Sequence, residues 1–373
     1  MFTPLTRCSI FYYACTNLMI ICCQVPYRHL KGAHLVLKKT LLFILIPLFI
    51  IVCVAAGFIF ELRIYADTPA NVDTSQNVIV NVRPGQTLRT TADILQQANL
   101  IKSRLKFILL SRIKGLDKHL KAGEYLFSAA MPPRQILEIM VKGEVNLHKL
   151  TVPEGYSIPQ IAALVENAKF GSKIDFIKTA TDTVLASKNG IEAATFEGYL
   201  FPDTYFFPRE VAMVQIISAM VNRFWSVFTT EWKVRAKDLG FTVHQIVTLA
   251  SIIEKETGAA FERPIISSVF HNRLKKKMRL ESDPTVIYGI KNFDGNLTRK
   301  HLSTRTPYNT YKIKGLPAGP IANPGRASLE AALFPDKTEF IYFVSKKDNT
   351  HYFSKTLKEH NQAVRKYQLR RKK

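Results

Sequence analysis

The pattern of apolar and polar positions divides the chain at Phe60. From Leu41 to Phe60 it reads LLFILIPLFIIVCVAAGFIF, without a charged residue. About 20 apolar residues suffice for a helix to cross the hydrocarbon core of a bilayer, and a proline such as Pro47 is tolerated within one. The pattern predicts a transmembrane helix over 41–60. Arg28, Lys31, Lys38 and Lys39 precede it, whereas Arg63 follows with Glu61 and Asp67. Basic flanks stay in the cytoplasm, so residues 1–40 are expected inside and everything after Phe60 outside. An earlier apolar stretch, Cys8 to Val25, either adds a second span or precedes a native start expected near Val36 or Leu37. Only Arg7 is basic ahead of it, and no small-x-small cleavage site follows, which argues against a cleaved signal peptide.

Beyond Phe60 the periods are short. Residues 61–77 are polar and lack a period, and predict a linker. Val78–Val82 alternates as a strand before the Pro84-Gly85 turn, and Thr91–Leu100 and Leu105–Ile113 have helical spacing. Strands are expected at Gly123–Phe127 and Val145–Val152. Helices are expected at Pro132–Val141, with proline near its start, and at Ser157–Asn167. Val211–Trp225 and Thr230–Leu239 read as amphipathic helices, 243–280 as two more, and Phe340–Val344 as a last strand. The fold class is α+β. After the transmembrane helix and linker come a small α+β module over 78–167, a connecting region over 168–240, a mixed α/β domain over 241–365 and a basic tail over 366–373.

Composition changes this picture in two ways. The balance of 52 Lys+Arg against 29 Asp+Glu gives a net charge of +23, which suits an anionic partner or reflects a basic proteome. No zinc-ligand spacing, ribonucleoprotein signature or arginine-rich arm accompanies it, so nucleic acid is not an expected partner. All 5 cysteines lie at or before Cys53, so the body carries no disulfide framework. The 9 histidines are scattered without ligand spacing, and no metal or other cofactor is expected.

Candidate chemistry lies late in the chain. Thr242 is placed to cap the helix VHQIVTLASIIEKET, with Gly258 as its stop. At 100° per residue, Glu254 shares a face with Val247, Ala250 and Ser251. Small and apolar neighbours leave room for a ligand and keep water away, and a shielded carboxyl can protonate a glycosidic oxygen. Glu256 falls on another face and is expected to be exposed or to pair with Lys255 or Arg263. Upstream, FEGYLFPDTYFFP (196–208) sets six aromatics around Glu197 and Asp203. Such a segment suits either a sugar surface or a packed connection between domains.

The motifs LASIIEKET, SVFHNRL, MRLESDPTVIYG, TPYNTY and GLPAGPIANPG, in this order, closely resemble those of the endolytic murein transglycosylases, the YceG-like family. FEGYLFPDTY is similar to that family's upstream motif, and KAGEY and VPEGYS to its LysM-like N-terminal part, which the 78–167 module would then be. The resemblance spans about 78–365. It implies a single-pass inner-membrane protein with a cytoplasmic N-terminus and a periplasmic catalytic body. It further implies cleavage of the MurNAc-GlcNAc bond within nascent glycan strands, leaving 1,6-anhydromuramic ends and terminating strand elongation. Penicillin-binding proteins and other wall-synthesis machinery are the protein partners it suggests. The matching catalytic position is Glu254.

One carboxyl is enough for that reaction. A hydrolase needs a second carboxylate to activate water or attack the sugar, whereas a transglycosylase uses the muramic acid C6 hydroxyl. Asp283, Tyr288, Asn309 and Asn323, among loops dense in proline and glycine, are candidates to bind sugar hydroxyls or N-acetyl groups, or else to cap turns. Asn272 and Arg273 join them as candidate substrate contacts, Arg273 for a muramyl or peptide carboxylate or for a helix ion pair. Two competing readings are a lysozyme-like peptidoglycan hydrolase using Glu254 with Asp283, and a non-catalytic peptidoglycan-binding scaffold.

Overall fold

A computed structural model describes residues 30–72 and 76–369, with side chains from Leu41 onward. The Cys8–Val25 stretch and the end of the basic tail lie outside the described residues. The apolar run lies within one helix, α1 (Leu30–Asp67), whose apolar side chains from Leu41 to Phe60 are exposed. A stretch of this helix, Leu41–Asp67, is long and apolar enough to cross a membrane. The polar run expected as a linker continues α1 to Asp67 instead. Leu62, Tyr65 and Ala66 are buried there, and Glu61 and Asp67 reach Lys106 (2.6 Å) and Arg134 (2.7 Å). Packing against neighbouring helices supplies what the local sequence pattern lacked.

The chain divides into two compact units. One takes the residues up to Val78 with Gln86–Leu120 and Phe127–Lys142; the other takes Ile79–Gly85, Lys121–Leu126 and the residues from Gly143 on. In order, β1 (Asn77–Val82), α2 (Leu88–Gln97), α3 (Arg104–Ile113), β2 (Gly123–Ser128) and α4 (Pro133–Lys142) follow α1, and β1 pairs with β2. Hydroxyls cap the helices as their sequences suggest: Thr87 accepts from the Thr90 amide and Ser103 from the Lys106 amide.

The larger unit continues with β3 (His148–Thr151), α5 (Ile158–Asn167), α6 (Lys173–Ala180), α7 (Thr183–Lys188), β4 (Thr204–Phe207), α8 (Met213–Val227) and α9 (Thr230–Asp238). Then come α10 (Val243–Glu256), α11 (Arg263–Lys275), α12 (Asp283–Tyr288), α13 (Arg299–Ser303), α14 (Arg326–Leu333), β5 (Tyr342–Ser345), β6 (His351–Ser354) and α15 (Leu357–Val364). β3 pairs antiparallel with β4, Leu150 opposite Tyr205, and β5 with β6, Phe343 opposite Phe353. The architecture is α+β. The helix expected to close the small module, α5, joins the core of the larger unit, because Ile158, Ile161, Ala162 and Val165 pack there with α8 and α10.

That core is organised around α10. Every residue from Ile246 to Ile253 is buried, the mark of a helix covered on all sides. Thr242 caps it, accepting from the Gln245 amide at 3.2 Å while the Gln245 side chain accepts from the Thr242 amide at 2.8 Å. The helix ends at Glu256, just short of the expected stop at Gly258. Its last turn carries two carboxyls, those of Glu254 and Glu256.

Candidate active site

Glu254 leaves this last turn with its side chain 8% exposed. One carboxyl oxygen accepts from Arg263 Nη2 at 3.4 Å, and the other from the Gly325 amide at 3.0 Å. Gly325 precedes the first residue of α14. The positive end of that helix and a guanidinium thus face the carboxyl, and both stabilise a negative charge formed there. Arg263 is itself held by Ser328 Oγ at 3.1 Å.

A second carboxyl joins the same arginine. Glu154 lies 3.8 Å from Arg263 Nη2. Burial and the neighbouring Glu254 push its carboxyl up, and Arg263 opposes them. The Glu154 carboxyl lies directly against Gly325, so a side chain at that position would require Glu154 to move. The Glu154 turn is tied to the Asn323 loop like a short ladder: the Gly155 amide donates to Asn323 O and the Asn323 amide to Tyr156 O, both at 2.9 Å. Beside it lies a cavity of about 450 Å³ lined by Gly155, Lys255, Tyr288 and Ile321, among others.

The structure spreads the other expected residues. Tyr288 lines that cavity and donates to Glu197 at 3.0 Å. Asn323 is fully buried; its amide nitrogen donates to Tyr156 O and Glu197, and its oxygen accepts from the Leu200 amide. The Asn309 amide nitrogen is spent on the carbonyls of His301, Leu302 and Thr304 and its oxygen on the Tyr311 amide, so it braces its own loop. Arg273 holds the carbonyls of Ile341, Arg279 and Leu280 and reaches Glu281 at 3.4 Å. Asn272 holds those of Thr338 and Phe340. Asp283 accepts from Tyr311 Oη at 2.7 Å; the carboxyl sharing Arg263 with Glu254 is Glu154.

Glu256 overturns an expectation. It is neither exposed nor paired with Lys255 or Arg263; its carboxyl is buried and accepts from Ser282 Oγ at 2.5 Å. Burial pushes it up, with Ser282 opposing and Asp283 adding to the shift. The 196–208 segment is a packed connection for most of its length, since Phe196, Tyr199, Leu200 and Phe201 are buried. Within it, Glu197 is 3% exposed, and burial pushes its carboxyl up to about 7 against the pull of Ile158, Tyr288 and Asn323. Gly198 follows with φ +88°, and a Cβ there would lie 2.6 Å from Pro320, so the turn that carries Glu197 inward accepts only glycine.

Sequence alone does not point to Glu154 or Arg263 as site residues, and it offers Glu197 only within the aromatic segment. The Pro-Glu-Gly turn at 153–155 and the Glu-Gly pair at 197–198 were the available signals, since a carboxyl beside a turn glycine is placed by backbone rather than by helix period.

The YceG-like family model matches residues 80–366. An endolytic murein transglycosylase of Bacillus subtilis is 37% identical over 315 residues, covering 80% of this chain and 87% of the relative. One from Streptococcus pneumoniae is 27% identical over 357 residues, 86% of this chain and 64% of that relative's length. A crystal structure of a YceG-like protein from Listeria monocytogenes, 36% identical, superimposes with a TM-score of 0.54 over 77% of this chain and 99% of that one. The chain belongs to the YceG-like family.

Proposed function

We propose that the protein is a peptidoglycan lytic transglycosylase that cleaves glycan strands internally, with Glu254 as its acid and base. Family membership and the names of the B. subtilis and S. pneumoniae relatives support the reaction class. The observation that carries the assignment of Glu254 is its carboxyl, shielded at the end of the buried helix and held by Arg263 and the Gly325 amide beside the Gly155–Tyr288 cavity.

Glu254 gives its proton to the glycosidic oxygen as the bond from muramic C1 breaks. The carboxylate left behind is stabilised by Arg263 and the start of α14. It then takes the proton of the muramic C6 hydroxyl as O6 bonds to C1, which restores the acid. No water enters, and the nucleophile belongs to the substrate, so attack is intramolecular and its effective concentration high. Mass spectrometry of digested murein is expected to find new ends as 1,6-anhydromuramic acid; reducing ends would instead establish a hydrolase.

The apolar part of α1 is the anchor in this reading: a single pass through the inner membrane, with the basic segment before it in the cytoplasm and the catalytic body outside. Its uncharged length and exposed apolar side chains support the span, and the Arg28–Lys39 cluster supports the direction. A reporter fused to the C-terminus is expected to read as extracytoplasmic; a cytosolic signal would contradict the orientation.

A further inference from the structure

We propose that Glu197, 57 residues before Glu254 in the chain, is a positioning residue for the reaction: its buried carboxylate ties together the three segments that shape the acid–base site. The inference rests on the functional reading above. Glu197 accepts from the Ile158 amide with both oxygens, at 3.2 and 3.1 Å, from Tyr288 Oη at 3.0 Å and from Asn323 Nδ2 at 3.0 Å. Each donor belongs to a different segment. Ile158 opens α5, with one residue between it and the Glu154–Tyr156 turn. Tyr288 ends α12 and lines the cavity. Asn323 lies two residues before the glycine whose amide holds Glu254.

The connection onward from Asn323 runs through few soft joints. Its backbone pairs on both sides with Gly155 and Tyr156, its side chain oxygen takes the Leu200 amide at 2.8 Å, and Pro324 separates it from Gly325. Proline fixes φ, so a shift of Asn323 passes to the Gly325 amide. The same shift moves Gly155 and with it Glu154, which shares Arg263 with Glu254. A core carboxyl kept only for packing would be better replaced by an apolar group of its size. Three donors converging on one buried carboxyl, each from a different segment of the site, identify what it positions instead.

The test compares Glu197→Met and Glu197→Gln with wild type in the full-length protein, using defined glycan strands and following thermal stability alongside. Methionine keeps the volume and replaces both carboxylate oxygens with a weakly accepting thioether. Its kcat is expected to fall about 100-fold with KM changed less than about threefold, the scale on which a misplaced catalytic group costs rate. Glutamine keeps one oxygen for Ile158 and Asn323 and turns its nitrogen to Tyr288 Oη, and is expected to recover all but about threefold of that loss. Wild-type kcat in the methionine variant, or a glutamine variant as impaired as methionine, overturns the proposal. A wild-type protein that yields no anhydro ends overturns the functional reading instead. If the methionine variant does not fold, Tyr288→Phe removes one bond and is read by hydrogen exchange. The Gly325 amide is then expected to exchange at least about fivefold faster, and unchanged exchange overturns the proposal.

Discussion

Glu254→Gln is expected to stop strand cleavage while leaving strand binding intact. The amide has the shape of the acid, and its oxygen still accepts from Arg263 or from the Gly325 amide, which contact the carboxyl at 3.4 and 3.0 Å. What it cannot do is give a proton to the leaving oxygen or take one from the C6 hydroxyl. A single general acid–base group contributes about 10²- to 10⁴-fold to a rate. Because both halves of this reaction pass through Glu254, kcat is expected to fall toward the upper end of that range. A kinetic assay on defined strands checks this, with an equilibrium binding measurement as its control. A variant that cleaves at the wild-type rate would remove Glu254 from the mechanism. One that keeps the protein's biological role without cleavage would favour a binding scaffold.

The second large effect is on stability and depends on pH. Folding raises the Glu197 carboxyl from 4.5 to about 7 by burying it, so between those values the folded chain holds a proton that the unfolded chain has released. Stability contributed by this group is fully present below pH 4.5 and is lost as pH rises toward 7. At 1.36 kcal/mol per unit, the loss amounts to about 3 kcal/mol. Folding shifts other carboxyls as well: Glu154 and Glu256 are raised, while Glu124 is lowered. The measurement therefore takes the difference between wild type and Glu197→Gln by urea unfolding across the pH range. Wild type is expected to lose about 3 kcal/mol relative to the amide variant between pH 4.5 and pH 7, and to change little above. A pH-independent difference would mean that Glu197 is not desolvated in solution.

The parts of the fold legible in the sequence were those with a strong local period. The Thr242 cap and the apolar run behind it gave α10 almost to its ends, and the uncharged run gave the core of α1. The extension of α1 to Asp67 was not legible, because it depends on Leu62, Tyr65 and Ala66 meeting partners far along the chain. The helical spacing of α5 was visible, but not the unit whose core it would join. β4 escaped notice because its residues lie in an aromatic segment with no clean alternation, and it exists by pairing with β3.

The candidate site shows the same division. The helix period gives Glu254 its face, while its role is what the resemblance to the YceG-like family implies. The neighbours of Glu254 were not legible, since Glu154, Arg263 and Gly325 come from a turn, the next helix and a helix cap that only tertiary packing brings together. The presence of asparagine and arginine among stiff loops suggests either substrate contacts or structural bonds from the sequence alone. For Asn309, Asn272 and Arg273 the reason lies in the loop backbone, whose carbonyls need donors once buried. Glu256 was misplaced because helical phase alone does not show that Ser282 folds over the end of α10.

The proposed mechanism depends on the substrate, rather than water, supplying the oxygen that closes on C1. Incubation of the full-length protein with glycan strands in heavy-oxygen water, followed by mass spectrometry of the new ends, tests this directly. The expected result is 1,6-anhydromuramic ends carrying no heavy oxygen, absent when Glu254→Gln replaces wild type. Reducing ends carrying one heavy oxygen would contradict it, since they require a water molecule activated at the site.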